Sequence, residues 1–526
     1  MKKRVALLLA GILTLSAFLL TGCGEKEQSG GKTPEKGSDA EVKDTLVVAQ
    51  YADPIKLDPQ ATETSCSTNI MLQIYENLLV MDKDMNFVPQ LAESWKFNED
   101  GTELTFNLRK GVKFHNGEEM KASDVKFTLE RGTTGPSSGM LLEMIKEVKV
   151  DNDYTATVVL SQPFAPILAH LAHPVSAILS EKAVTEAEAN GQYGNNPIGT
   201  GPFVFKNWNP GDKVVLERYE DYWGAKPAYK TLEIRTVVEA NSRSLELETG
   251  GIDIALRIQP NDVKRMDENE DIKMLRSSGL TITYIPINTY YKGVMKPDRE
   301  PTPLLDERIR QAINYAVDMP ALVKNVYFGA AAPATGYMPS SVWGFDKELP
   351  PYEYNVEKAK ALMKEAGYEN GLELNVICND NQDHINACEI IKNQLQKIGI
   401  TLNIQTYESA IFFDNLERAE YDLSVQNMTV STCDPDYAMY LTLYSQSPYN
   451  RNYENKHVDE LLVAARKEID PEKRAALYKE AQEITWKEAA WLPIAVADEL
   501  VACRSNINGF DAVPSGYYRF AGVTFD

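Results

Sequence analysis

Between residues 372 and 404 the chain spells strand, helix, strand in direct succession, and that order limits its fold more than any other feature. Leu372, Leu374 and Val376 alternate with polar residues, a helix is predicted from about His384 to Lys397, Gly399 stops it, and Ile400, Leu402 and Ile404 alternate again. Strands joined through a helix run parallel with a right-handed crossover, so the C-terminal half reads as α/β. The surrounding segments agree. Ile309, Ala312, Ile313, Ala316 and Val317 form one apolar stripe on a helix from about Asp306 to Asp318. Asn355 caps another helix, with Ala359, Leu362, Met363 and Ala366 on its inner face and Gly367 at its end. Helices at about Val458 to Lys467 and Pro471 to Lys487 precede a strand from Leu492 to Cys503.

The N-terminal half is mixed. Thr45 to Tyr51 is a β-branched, apolar run that reads as the first strand of the folded body. Trp95 and Phe97, then Leu104, Phe106 and Leu108, alternate on either side of Asn98-Glu99-Asp100-Gly101, a hairpin with an Asp-Gly turn. Ser123 is the expected N-cap of a helix carrying Val125, Phe127 and Leu129, and Tyr154 to Leu160 returns to strand. No internal repeat is visible.

Ahead of this body stand Lys2, Lys3 and Arg4, an apolar run from Val5 to Leu20, and Leu20-Thr21-Gly22-Cys23. The layout is that of a secretory leader, and its ending resembles the lipobox, in which cleavage precedes a cysteine that carries lipid. The resemblance makes Cys23 the mature N-terminus and a membrane anchor, so the protein is expected outside the cytoplasm, on the outer face of the membrane or in a periplasm. Gly24 to Glu41 lacks any large apolar residue and reads as a flexible tether. About 485 residues remain, enough for two or three domains. The formal charge is -22, and loss of Lys2, Lys3 and Arg4 takes it to about -25, which disfavours nucleic acid as a partner. Five cysteines besides Cys23, an odd number without paired spacing, argue against a disulfide framework.

Leu91-Ala92-Glu93-Ser94-Trp95, Gly111-Val112-Lys113-Phe114-His115-Asn116-Gly117 and Ala122-Ser123-Asp124-Val125 resemble the signature of the family 5 extracellular solute-binding proteins, which serve peptide and nickel ABC importers. Gly199-Thr200-Gly201-Pro202-Phe203, Asp221-Tyr222-Trp223-Gly224, Arg310-Gln311-Ala312-Ile313, Glu365-Ala366-Gly367-Tyr368 and Asp434-Pro435-Asp436 follow in that family's order, across essentially the whole chain after the tether. The resemblance implies an α/β, two-lobed periplasmic-binding-protein-like fold (type II, large cluster) with an extra α+β domain. Its boundaries are expected at 42–85, 199–290 and 498–526 for lobe I, 86–198 for the extra domain and 291–497 for lobe II. It also implies a monomer that delivers solute to permease and ATPase subunits, with no cofactor.

The same resemblance points to ligand-facing residues. Glu63, Thr64, Ser65 and Cys66 match the family's loop after the Leu57-Asp58-Pro59 turn, and Met428, Ser431, Asp380 and His384 lie opposite. Dipeptide-binding relatives carry a Trp and an Asp where this chain has Met428 and Ser431, and an Arg in the loop here reading Asn379 to His384. Each missing charge removes charge-assisted hydrogen bonds of about 1.5–3 kcal/mol, which disfavours a free dipeptide and leaves neutral or cationic ligands: longer peptides held by their backbones, sugars, polyamines or a chelated metal. No bound metal is expected, since His384 with Asp380 and Asp383 is the one His-carboxylate cluster and such loop residues are mostly solvated. His115-Asn116-Gly117, Gly199-Thr200-Gly201 and Asp434-Pro435 read as structural: a turn, a tight crossing and a helix start. Catalysis has little support. Gly135-Pro136-Ser137-Ser138-Gly139 lacks the strand that a nucleophile elbow needs, and His170-Leu171-Ala172-His173 lacks a zinc protease's glutamate. A ligand-sensing lipoprotein would share the fold.

Overall fold

The computed structural model describes residues 43–82, 85–190, 194–292 and 299–526; the leader, Cys23 and the tether lie outside them. The first strand, Thr45–Gln50, sits near the middle of a nine-stranded sheet because both its faces are apolar or small enough to be covered. It runs parallel to Thr231–Thr236 on one side and Ile254–Leu256 on the other. Phe203–Asn209 and Lys213–Arg218 extend the sheet one way, and Trp491–Arg504, Ile272–Pro286 and Gln426–Thr429 the other. Leu46, Val48, Ile70, Phe203, Leu232, Ile254 and Val501 close one core over it.

Two members of this sheet are unusually long. Ile272–Pro286 has 15 residues and Trp491–Arg504 has 14, and they run antiparallel along nearly their whole length. The register slips between Ser278 and Ile282, where a Cβ on Gly279 would lie 2.6 Å from the Ala497 carbonyl oxygen. Only glycine permits that approach. Beyond the slip, Ile285, Ile287, Leu492 and Ile494 enter a different core, packed with the helices Glu307–Ala316, Val356–Glu365 and Gln382–Leu395. There, Ile400–Tyr407, Leu372–Asn379 and Leu423–Ser424 form a parallel three-stranded sheet, as the strand-helix-strand order demands.

A third core belongs to a four-stranded antiparallel sheet containing the expected hairpin, Ala92–Phe97 and Glu103–Leu108, with Gly101 at φ +69° in its turn. The helix against it, Ala122–Gly132, starts two residues earlier than expected. Its N-cap is Lys121, not Ser123, because the Asp124 carboxylate accepts the Lys121 N–H at 2.9 Å and closes the first turn from inside. Gly199-Thr200-Gly201 is a tight crossing: the Gly201 N–H donates to Ile74 O at 2.9 Å, and a Cβ on Gly199 would meet that oxygen at 2.0 Å.

The histidines of the signature motifs are structural. His115 Nε2 lies 2.9 Å from Gly201 O and His170 Nδ1 lies 2.6 Å from Leu141 O. Burial pushes His115 and His170 down to about 4, and His173 to about 3. A histidine whose folded pKa is depressed stabilises the fold above its unfolded value of about 6.5 and loses that contribution as pH falls toward the folded value. Replacing His170 with Asn should therefore shrink the difference in unfolding free energy between pH 7 and pH 5 by about 2 kcal/mol, read from urea titrations at both values. An unchanged difference would mean that His170 titrates normally in the folded protein.

Candidate functional site

Where the two long strands leave one core for the next, Tyr284 of the first of them reaches a cavity of about 820 Å3. Tyr51, at the end of the first strand, and Thr64-Ser65, at the start of the Ser65–Ile74 helix, form one wall; Gln426–Thr429, Ser431 and Tyr437 form the opposite wall. A second cavity of about 420 Å3 shares Tyr51, Ser65 and Asn427 with the first, so the two are arms of one cleft.

The sequence-derived candidates divide between these arms. Glu63, Thr64, Ser65, Met428 and Ser431 line the larger arm, and Ser65 also faces the smaller one. His384 lines the smaller arm with Asp383 and is almost fully buried. It does not lie in a loop. The helix begins at Gln382 because Asn381 accepts the N–H groups of Asp383 and His384, which places His384 in its first turn. His384 Nδ1 lies 2.7 Å from Asn379 Oδ1 and its Nε2 lies 3.1 Å from Asn427 Oδ1, and burial lowers its pKa. Asp380 is exposed and lines neither arm. Cys66 is buried behind the wall in contact with Tyr51, its thiol pushed up by burial. His384, Asp380 and Asp383 form no group able to hold a metal among the described residues.

Two cations in the cleft lie outside the local sequence patterns. Arg257, in the left-handed conformation at φ +58°, lines the smaller arm with its guanidinium 4.5 Å from the Tyr51 ring centre. Arg451 lines the larger arm. The cleft is thus not confined to neutral and cationic ligands, as its sequence suggested. Arg451 is flanked by the buried Asn450 and Asn452, which pin its loop: Asn450 Nδ2 donates to Tyr453 O at 3.0 Å, and Asn452 Nδ2 to Asn288 Oδ1 and Tyr290 O at 2.7 Å each.

The wall that carries Ser431 is locked from behind. Asp434 takes a two-pronged contact from Arg474, at 2.7 and 2.6 Å, and its Oδ1 accepts the Asp436 N–H at 2.9 Å, which starts the helical turn from Asp436. Burial works to raise the Asp434 carboxyl, and Arg474 overrides it and holds it below its ordinary value. Removing one partner of such a pair leaves a charge buried and uncompensated. Arg474→Leu should cost about 3–5 kcal/mol in urea unfolding, and Asp434→Leu with Arg474→Leu should recover most of it. A single variant as stable as the parent would show the pair to be dispensable.

The chain matches the model for bacterial extracellular solute-binding proteins, family 5 Middle, over residues 86–450. It is 32% identical over 517 residues to the dipeptide-binding protein of Escherichia coli K12, covering 92% of this chain and 95% of that one. To heme-binding protein A of Haemophilus influenzae it is 30% identical, covering 98% and 99%. Among solved structures, the ABC transporter-associated periplasmic binding protein DppA from Helicobacter pylori, in complex with the peptide STSA, superposes with a TM-score of 0.74 at 30% identity, covering 92% of this chain and 98% of that one.

Proposed function

The chain belongs to the family 5 bacterial extracellular solute-binding proteins, and from that premise we propose that it is the lipid-anchored receptor of an ABC importer, capturing peptides in its cleft and handing them unchanged to permease and ATPase subunits. Cys23 is the anchor in this reading and Gly24 to Glu41 the tether. The observation that carries the choice of peptide is the strand Gln426–Thr429. It lies at the edge of the nine-stranded sheet, pairs only with Ile272–Pro286 among the described strands, and all four of its residues line the larger arm. An edge strand presents unpaired N–H and C=O groups at alternating positions, and an extended peptide satisfies them by adding a strand.

Side chains of such a peptide would enter a cleft that offers Tyr, Gln, Asn, Thr and Met and few fixed partners, which suits varied sequences held through wet contacts. Longer peptides are favoured over free dipeptides, because backbone pairing adds hydrogen bonds with each residue. Trp491–Arg504 crosses between the proposed lobes, 42–85 with 199–290 and 498–526 on one side and 291–497 on the other, with 86–198 as the extra domain, and Ile272–Pro286 leads up to the other crossing. Ligand that touches both lobes would draw them together, since only differential contact can shift such an equilibrium. The closed monomer would be the species that docks on the permease.

The test is a thermal-denaturation screen of the purified protein against mixed-sequence peptides of two to nine residues, oligosaccharides, polyamines, nickel and hemin. A ligand of the native state at a hundredfold excess over its Kd stabilises by about 2.7 kcal/mol. Peptides of three or more residues should raise the melting temperature, dipeptides less, and the same peptides should reduce the radius of gyration in solution scattering. Stabilisation by sugars, nickel or hemin alone would overturn the peptide reading, and product released from a bound peptide would overturn capture without chemistry.

A further inference from the structure

A third cavity, of about 360 Å3, branches from the larger arm of the cleft between residues 140–170 and 436–449. The two cavities share Met140, Tyr437, Leu441, Pro448 and Tyr449, so the passage between them is apolar and aromatic throughout. The passage to the smaller arm differs, because Ser65 and Asn427 stand there beside Tyr51. Met140 and Tyr449 are exposed although both are large and apolar. Apolar surface left open to water inside a binding cleft is surface that a ligand can bury.

Planar groups stack along the wall of this branch. The Arg466 guanidinium lies 4.9 Å from the Phe164 ring centre and 3.8 Å from that of Tyr440, and Tyr440 stacks on Tyr444 at 4.5 Å with 15° between the ring planes. Arg466, Tyr440 and Tyr444 line the cavity, and the column ends at Tyr444, which meets no ring but Tyr440 among the described residues. Arg466 is also engaged within the protein: its Nε lies 3.1 Å from Asp436 Oδ1, an ion pair off the line of a hydrogen bond. Glu143, which lines the cavity as well, is exposed. The interior therefore offers ring faces and the thioethers of Met140 and Met144, groups that pair with an aromatic ring in stacked or edge-on contact.

We infer that this branch is a specificity pocket for one large aromatic side chain of the captured peptide, whose ring enters past Met140 and Tyr449 and continues the column of Phe164, Arg466, Tyr440 and Tyr444. The assignment rests on the peptide reading above and sharpens it: one position of the peptide is selected, and the positions that face the more polar arms stay tolerant. At about 30 Å3 per water molecule the branch has the volume of about twelve waters, room for a phenol or an indole. Its wall is set before ligand arrives. Tyr440 closes the Asp436–Tyr440 turn, which follows directly on the Asp434 held by Arg474, and a site already ordered loses less freedom on binding.

The experiment uses three pools of free peptides of three to six residues: a plain pool of Gly, Ala and Ser, the same with one Leu, and the same with one Phe, Tyr or Trp at each position in turn. Affinities for the purified protein and for its Met140→Glu, Tyr444→Ala and Phe413→Ala variants come from thermal shifts at graded peptide concentration. The parent should bind the aromatic pool about ten- to hundredfold tighter than the plain pool and about two- to tenfold tighter than the leucine pool. Met140→Glu puts a carboxylate in the apolar passage and Tyr444→Ala removes the end of the column, and each should bring the aromatic pool to within about threefold of the plain one. Phe413 lines the larger arm and not the branch, so Phe413→Ala should keep the aromatic preference. Should Tyr444→Ala fail to fold, Met140→Glu, at an exposed position, decides alone. A parent that binds the aromatic pool no better than the leucine pool, a preference that survives Met140→Glu, or one lost in Phe413→Ala overturns the pocket and leaves peptide capture standing. No binding of any pool overturns the peptide reading and the pocket with it.

Discussion

The pairing of Ile272–Pro286 with Trp491–Arg504 is the constraint on which the rest of the structure depends. A strand pair this long cannot be buried in a single small core, and each end serves a different one. Leu500 and Ala502 pack with Ile252 and Ile258, and Val501 and Cys503 face the core of the first strand. Leu492 and Ile494 face the helices of the C-terminal half. Trp491 and Val496 meet Tyr284, Tyr337 and Met439, with Tyr284 stacked on Trp491 at 4.0 Å between ring centres. The alternation of side chains across a strand lets two ribbons nucleate several cores, and the places between cores are where the backbone can bend. The register slip at Gly279 lies at such a place, and the cleft opens beside it.

Polar groups around the cleft follow a division of labour. Two buried carboxylates behind the walls are matched: Asp434 with Arg474, and Glu76 with Thr200, Tyr222 and Trp223 at 2.8–2.9 Å. Burial raises the Glu76 carboxyl, and the three donors oppose that. Matched networks of this kind specify one arrangement of the backbone and give the walls their rigidity. Groups facing into the cleft, among them Glu63 and Arg451, are left with open valences. A binding protein needs both, because a ligand can be gripped only by donors and acceptors that the protein has not used itself.

Much of the scaffold was legible in the residues. The apolar stripes of the helices Glu307–Ala316 and Val356–Glu365 and the alternation in the hairpin are local patterns, and local patterns suffice where one face of an element is buried. Helix starts were less legible. Asn379-Asp380-Asn381 has the composition of a loop, and the buried stripe of the following helix, Ala387, Cys388, Ile391 and Leu395, begins too late to reveal that Gln382, Asp383 and His384 already belong to it. The cap is an asparagine hydrogen bond, which leaves no periodic trace. The edge strand Gln426–Thr429 is polar and short, so only its pairing with Ile272–Pro286 makes it a strand.

The cleft itself was the least legible part, for a physical reason. Glu63, Tyr284, Ser431 and Arg451 stand far apart in the sequence, and their proximity is a product of how the long strands fold the chain back on itself. Resemblance to relatives located the walls from Glu63 to Ser65 and from Met428 to Ser431. It could not locate Arg257 or Arg451, because nothing in a run such as Asn450-Arg451-Asn452 distinguishes a guanidinium facing solvent from one facing a cavity. The absence of charge at Met428 and Ser431 suggested neutral or cationic ligands when read along the chain; in three dimensions Glu63 and Arg451 line the same cavity. Electrostatic complementarity is a property of the assembled surface, so the charges that face a cleft are read from the folded chain and not from any one loop of it.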